Sequence, residues 1–110
     1  MTRMQNDPPK KYQDFVARFP KLAEAWDALH EAGATGPLDE KTQRLVKLAV
    51  AIGSLREGAV HASVRKAVSA GITEAELEQV VALAAGTMGM PSTVAAFTWV
   101  RDVTRKDPKA

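Results

Sequence analysis

The sequence predicts an all-α protein, a bundle of six helices packed around one core. Three observations carry this. Apolar residues recur at i, i+3, i+4 and i+7 along nearly the whole chain. No segment shows the strict alternation of a half-buried strand. Aromatic residues make up only 5% of the 110 positions, a composition that suits close helix packing better than a β-sandwich. Hydrophobic residues at 45% and charged residues at 25% are those of one ordinary soluble domain spanning 1–110.

The helices announce themselves in order. Asp7-Pro8-Pro9 reads as a start, with Asp as N-cap and proline at the first helical position. Tyr12, Phe15, Val16 and Phe19 then form one apolar stripe. Pro20 interrupts it, because the residue before a proline avoids the α region. Leu22, Ala25, Trp26 and Leu29 mark a second helix, which stops near Gly33. These two helices make an N-terminal hairpin, and Gly33 to Pro37 is a loop by composition. Asp39 opens the third helix, whose interior from Leu45 to Ile52 is apolar almost all round. A helix of that kind is covered on most sides, by its own domain or by a neighbouring subunit.

Ser54 and Glu57 have the spacing of a capping box for a fourth helix running to Ala70, with Gly71 as its C′ residue. Thr73 and Glu76 form a second capping box, flanked by the staple pair Ile72 and Leu77. The fifth helix points Leu77, Val80, Val81 and Ala84 inward and ends around Gly86 to Gly89. Pro91 opens the sixth, with Val94, Phe97 and Val100 along its inner face, and Lys106 to Ala110 is a polar tail.

Composition removes several classes of function. With no cysteine in the chain, disulfides, thiolate metal sites and thiol nucleophiles are all absent. The 15 basic and 13 acidic residues are interspersed. No basic stripe with interleaved aromatics marks a nucleic-acid surface. No stretch approaches the length of a membrane span, and the polar N-terminus lacks the apolar segment of a signal peptide. The expectation is a cytoplasmic protein that contacts neither nucleic acid nor membrane.

Leu38-Asp39-Glu40-Lys41-Thr42, then Leu48-Ala49-Val50-Ala51, then Arg65 through Ala70-Gly71-Ile72-Thr73 to Leu77, and finally Met90-Pro91 occur in an order and spacing that resemble the carboxymuconolactone decarboxylase and alkylhydroperoxidase-D-like family. The likeness covers about 38–103. It implies an alkylhydroperoxidase-D-like six-helix bundle, assembled as homotrimers or as homohexamers. Many members carry a Cys-x-x-Cys followed by a histidine. Counting back from Gly71, that histidine falls on Ser63, the two cysteines on Ala59 and Arg56, and a glutamate of the peroxidase branch on Arg44. None is kept. A peroxidase assignment would follow the fold and miss the site, since peroxide reduction needs a thiolate and a resolving thiol.

The segment is closer to a cysteine-less subgroup reading Glu-Gly-Ala-x-His-x-His. Glu57, Gly58, Ala59 and His61 match it, and Ser63 replaces the last histidine. The family's decarboxylases act on a small dicarboxylated lactone without metal or other cofactor. By that resemblance the candidates are His61 and Glu57 for proton handling, with Arg44, Lys47 and Arg56 orienting an anionic substrate. No metal ligand set and no cofactor are expected.

The residues admit plainer roles beside these. His61 also reads as a half-buried residue bonding a carboxylate or carbonyl, and Glu57 as a helix cap. Lys47 interrupts the apolar helix either as a desolvated amine, able to act as base or imine former, or as a chain that snorkels to water. Arg44 lies one turn from it, on the same face. Arg56 falls where a helix dipole disfavours a cation. His30, Ser63, Trp26, Trp99 and Met88 read as surface or packing residues. Two functions stay open: a decarboxylase-like enzyme on a small anionic lactone or carbonyl compound, and a non-catalytic oligomeric domain that binds a small molecule or partner. Self-association is expected in both, because the third helix offers more apolar surface than one copy covers.

Overall fold

The computed structural model describes residues 10–106, which form six α-helices with no strand among them. They are α1 (Lys10–Arg18), α2 (Pro20–Ala34), α3 (Glu40–Gly53), α4 (Glu57–Ser69), α5 (Glu74–Met88) and α6 (Met90–Thr104). The Asp7-Pro8-Pro9 start and the end of the polar tail lie outside the described residues. The chain divides into two compact units, Met1–Glu40 and Lys41–Ala110.

The first unit is the helical hairpin. Phe19 leaves the helical region, with φ −127° and ψ 73°, and Pro20 starts α2 at a position that needs no backbone donor. The rings of Phe15 and Phe19 sit 5.4 Å apart, and the guanidinium of Arg18 lies 4.8 Å above Phe19. His30 meets the edge of Trp26 at 4.9 Å. No residue of α1 or α2 is buried.

The second unit holds the core. Leu48 and Ile52 of α3, Val60, Val64 and Ala67 of α4, Leu77 and Val81 of α5, and Ala96 and Val100 of α6 form one apolar cluster, with Ile72 and the partly buried Phe97, Trp99 and Met88 packed on it. Two helix ends set the register of this unit. At the end of α4, Gly71 takes φ 90°, its N–H donates to Val68 O, and the N–H of Ile72 donates to Ala67 O. This is a Schellman motif with glycine at C′, and it tucks Ile72 into the core. The Thr73–Glu76 capping box then starts α5, with reciprocal bonds of 3.0 and 3.1 Å.

Two expectations are corrected. Ser54 and Glu57 form no capping box: α4 begins at Glu57, Arg56 is its N-cap, and no side chain caps it. Residues 54–56 are instead consumed in ending α3. The N–H of Leu55 donates to Ile52 O and that of Arg56 to Ala51 O, with Leu55 at φ 55°. This is a second Schellman geometry, closed on a non-glycine residue, and Ser54 Oγ donates back to Val50 O at 2.8 Å. The inner face of α6 is also shifted. Thr93, Ala96 and Val100 are buried, while Val94 is exposed. The Thr93 hydroxyl donates to Gly89 O at 2.7 Å, which lets a polar residue occupy the inner face.

α3 is covered on one side only. Leu48, Ala51 and Ile52 are buried, whereas Val46 and Val50 are exposed in the single chain. No helix among the described residues is long and apolar enough to cross a membrane.

Candidate active site

The Schellman turn that closes α3 places Glu57 in the first turn of α4, and one helical turn later comes His61. The two are brought together, with Glu57 Oε2 3.9 Å from His61 Nε2. That is ion-pair range but longer than a hydrogen bond. The bond itself comes from α6: Asp102 Oδ2 lies 3.0 Å from the same nitrogen. His61 is half-buried, and both carboxylates are more open to solvent. Asp102, not Glu57, is therefore the carboxylate hydrogen-bonded to His61.

Sequence reasoning missed Asp102, because nothing local connects it to His61, 41 positions away. The packing of α4 on α6 through Val60, Val64, Ala96 and Val100 brings them together. Neighbouring ion pairs hold α6 in register against α5. Arg101 Nε donates to Glu78 at 2.8 Å. Arg105 donates to both oxygens of Glu74 at 2.8 and 3.0 Å, and Thr104 donates to one of them at 2.7 Å. The Arg105 and Thr104 bonds hold the Glu74 carboxyl well below its ordinary range, at about 2.

Glu57, His61 and Asp102 each offer one ligand atom, all within 4.8 Å of one another, a spacing a divalent cation would fit. The 3.0 Å contact between Nε2 and Asp102 is also that of an ordinary N–H···O hydrogen bond.

The predicted cations assemble elsewhere on the unit. Arg44 and Lys47 stand one turn apart on α3 and act on the charge of Lys66 on α4, as does Arg65. Partial burial first, then these three positive charges, pulls the Lys66 amine below the usual lysine range. Lys47 itself is exposed. Arg65 follows His61 by one helical turn, so the cation group adjoins the histidine along α4. Among the described residues none of the four makes an ion pair, whereas Lys41, Arg101 and Arg105 each do. Arg56 is exposed at the N-cap beside Glu57, outside this group.

An open apolar groove of about 720 Å³ runs between α3 and α5, lined by Leu45, Val46, Ala49, Val80, Leu83 and Met88, with the Lys41–Glu76 ion pair among its polar residues. None of His61, Glu57, Arg44, Lys47 or Arg56 lines it.

The sequence matches the carboxymuconolactone decarboxylase family over residues 20–102. The chain belongs to that family. The matched region takes in α2 as well as the helices from α3 onward, so it begins earlier than the motifs alone indicate. Among solved structures, a carboxymuconolactone decarboxylase family protein from Legionella pneumophila, in its apo form, is similar at a TM-score of 0.77 and 24% identity, over 86% of each chain. That likeness shows a shared fold. A search of the curated proteins finds no match. As a carboxymuconolactone decarboxylase family member with no cysteine, this chain cannot supply the thiol on which the family's peroxide chemistry depends.

Proposed function

We propose that this chain is a decarboxylase or isomerase acting on a small anionic lactone or carbonyl compound without a cofactor. The observation that carries the reading is the 3.0 Å bond between His61 and Asp102. It supplies an imidazole with a fixed orientation, beside a second carboxylate, in a family whose members include lactone decarboxylases. A general acid–base needs that kind of placement before its acidity matters.

The cations give the second half of the chemistry. Decarboxylation leaves an electron pair on carbon, which a conjugated carbonyl accepts as an enolate, and a proton must then be delivered. A substrate carboxylate bound by Arg44 and Lys47 would be oriented, with Arg56 beside Glu57 as a further contact. His61 would give the proton to carbon, or take and return one in an isomerisation.

The test is a panel of unsaturated lactone acids, followed by carbon dioxide release and by proton NMR. His61→Ala is expected to lower turnover of any accepted substrate by about 10²–10⁴-fold with helix content unchanged. Arg44→Ala is expected to raise KM more than it lowers kcat. A panel with no turnover at all, or full activity in His61→Ala, sinks the reading.

We also propose that the protein works as a homo-oligomer, a trimer or hexamer. The exposed apolar residues of α3 and α5 support this, with Val50 63% and Leu83 74% exposed in the single chain.

A further inference from the structure

We infer that Asp102 is the positioning residue of this site, holding the proton of neutral His61 on Nε2 so that Nδ1 is the nitrogen that exchanges protons with an anionic substrate. The inference rests on the proposed function for its last clause only. The assignment of the proton follows from the geometry.

An ionised carboxylate only accepts hydrogen bonds. With Asp102 Oδ2 at 3.0 Å from Nε2, the proton between them belongs to the imidazole. In the neutral ring the lone pair is then on Nδ1. Glu57 does not compete for the bond, because its oxygen is 3.9 Å from the same nitrogen. It adds a second negative charge to the same edge. An anion approaching Nε2 meets both carboxylates and is repelled, more strongly near the protein surface than in bulk water. An anionic reactant is therefore turned away from the Nε2 edge, which leaves Nδ1 as the nitrogen without a carboxylate beside it in these contacts.

The arrangement is held from both sides. Asp102 lies in the last turn of α6 between Arg101 and the C-cap residue Arg105, and each of those arginines is already paired, with Glu78 and Glu74. Neither takes Asp102, whose carboxylate is left to the histidine. The helices carrying the pair are fixed by Val60 and Val64 against Ala96 and Val100, all fully buried.

The experiment reads the nitrogens directly. The chain has two histidines, so His30→Gln leaves His61 alone. Protein of that variant, labelled with 15N-histidine and treated with a chelator, is examined by long-range proton–nitrogen correlation NMR at a pH where the ring is neutral. The expected spectrum has Nε2 protonated and Nδ1 unprotonated. Asp102→Ala, and separately Asp102→Asn, should shift both resonances toward exchange between the two tautomers. Glu57→Gln should leave them in place.

A protonated Nδ1 in the parent overturns the inference. So does an unchanged spectrum in both Asp102 variants, or a Glu57→Gln spectrum that moves as the Asp102 variants do. Zinc added at micromolar concentration is the further control. If zinc at that concentration leaves the His61 nitrogens unmoved, Asp102 and not a cation holds the ring; if it moves Nε2 to a metal-bound shift, the cluster is a cation site and Asp102 is a ligand rather than the positioning residue. The measurement needs no substrate. An inactive protein with the Nε2-protonated ring therefore removes the proposed function and leaves the tautomer assignment standing. Where turnover is found, Asp102→Asn should lower kcat at least tenfold with KM within twofold.

Discussion

Individual side chains show how unevenly a sequence reports its own chemistry. His61 and Glu57 were legible as a pair because a helix places i and i+4 on one face. Asp102 was not, because its contact with His61 exists only through the packing of α4 on α6. Lys66 was passed over for the same reason. The sequence offered Lys47 as either a desolvated amine or a snorkelling chain because it interrupts an apolar run; Lys47 is exposed, and it is the Lys66 amine that partial burial first, and then the Arg44, Lys47 and Arg65 charges, pull below the usual lysine range. Glu74 shows how a single residue sets a pH response. Its carboxyl is held at about 2 against a usual 4.5 by Arg105 and Thr104. A group depressed on folding contributes stability that is fully present above its unfolded value and is lost as pH falls through the folded one. Urea midpoints should therefore fall between about pH 4.5 and pH 2, the window of Glu74, with the likewise depressed Glu76 adding to it, and Glu74→Gln should flatten part of the slope across that window.

Among the elements, the contrast lies between two turns of the same type. Both α3 and α4 end in Schellman geometry, but Gly71 occupies the left-handed position after α4 and Leu55 occupies it after α3. A glycine at that place is a readable signal; a leucine is not, so Ser54-Leu55-Arg56-Glu57 was read as the start of α4 when its first three residues finish α3. The two positions should respond oppositely to substitution. A Cβ at Gly71 meets nothing within 4 Å, so the cost of Gly71→Ala is conformational, about 1–2 kcal/mol. Leu55→Gly relieves a comparable strain and adds about 0.4–1 kcal/mol of unfolded-state entropy cost. Its net effect should be neutral to mildly stabilising. Chemical denaturation of the two variants beside the parent decides both. The Thr73–Glu76 capping box was legible in full, because its bonds are local and depend only on residue type and spacing.

At the scale of the whole molecule, the amphipathic patterns identified the core without locating its uncovered faces. Leu77 and Val100 were read as inward and are fully buried. The inner face of α6 was misread because a threonine, able to return its hydroxyl to the preceding turn, stands where an apolar residue was expected. α3, apolar nearly all round, uses one side for the core and leaves Val46 and Val50 exposed, Val46 lining the groove with Leu83 of α5. If self-association runs through that face, Leu83→Glu should shift sedimentation velocity toward smaller species at unchanged helix content. An unchanged distribution would place the subunit contact elsewhere.

By itself, the sequence determined the helices, their caps where capping is local, the family, and the exclusion of thiol chemistry. Each of these depends on residue type, composition or spacing along one element, and such information survives without a fold. Only the tertiary structure decided which carboxylate holds His61, which lysine is perturbed by burial and neighbouring cations, and which side of α3 is left uncovered. Each of those is a relation between helices far apart in the chain, created when apolar faces are buried together, and no local spacing encodes it.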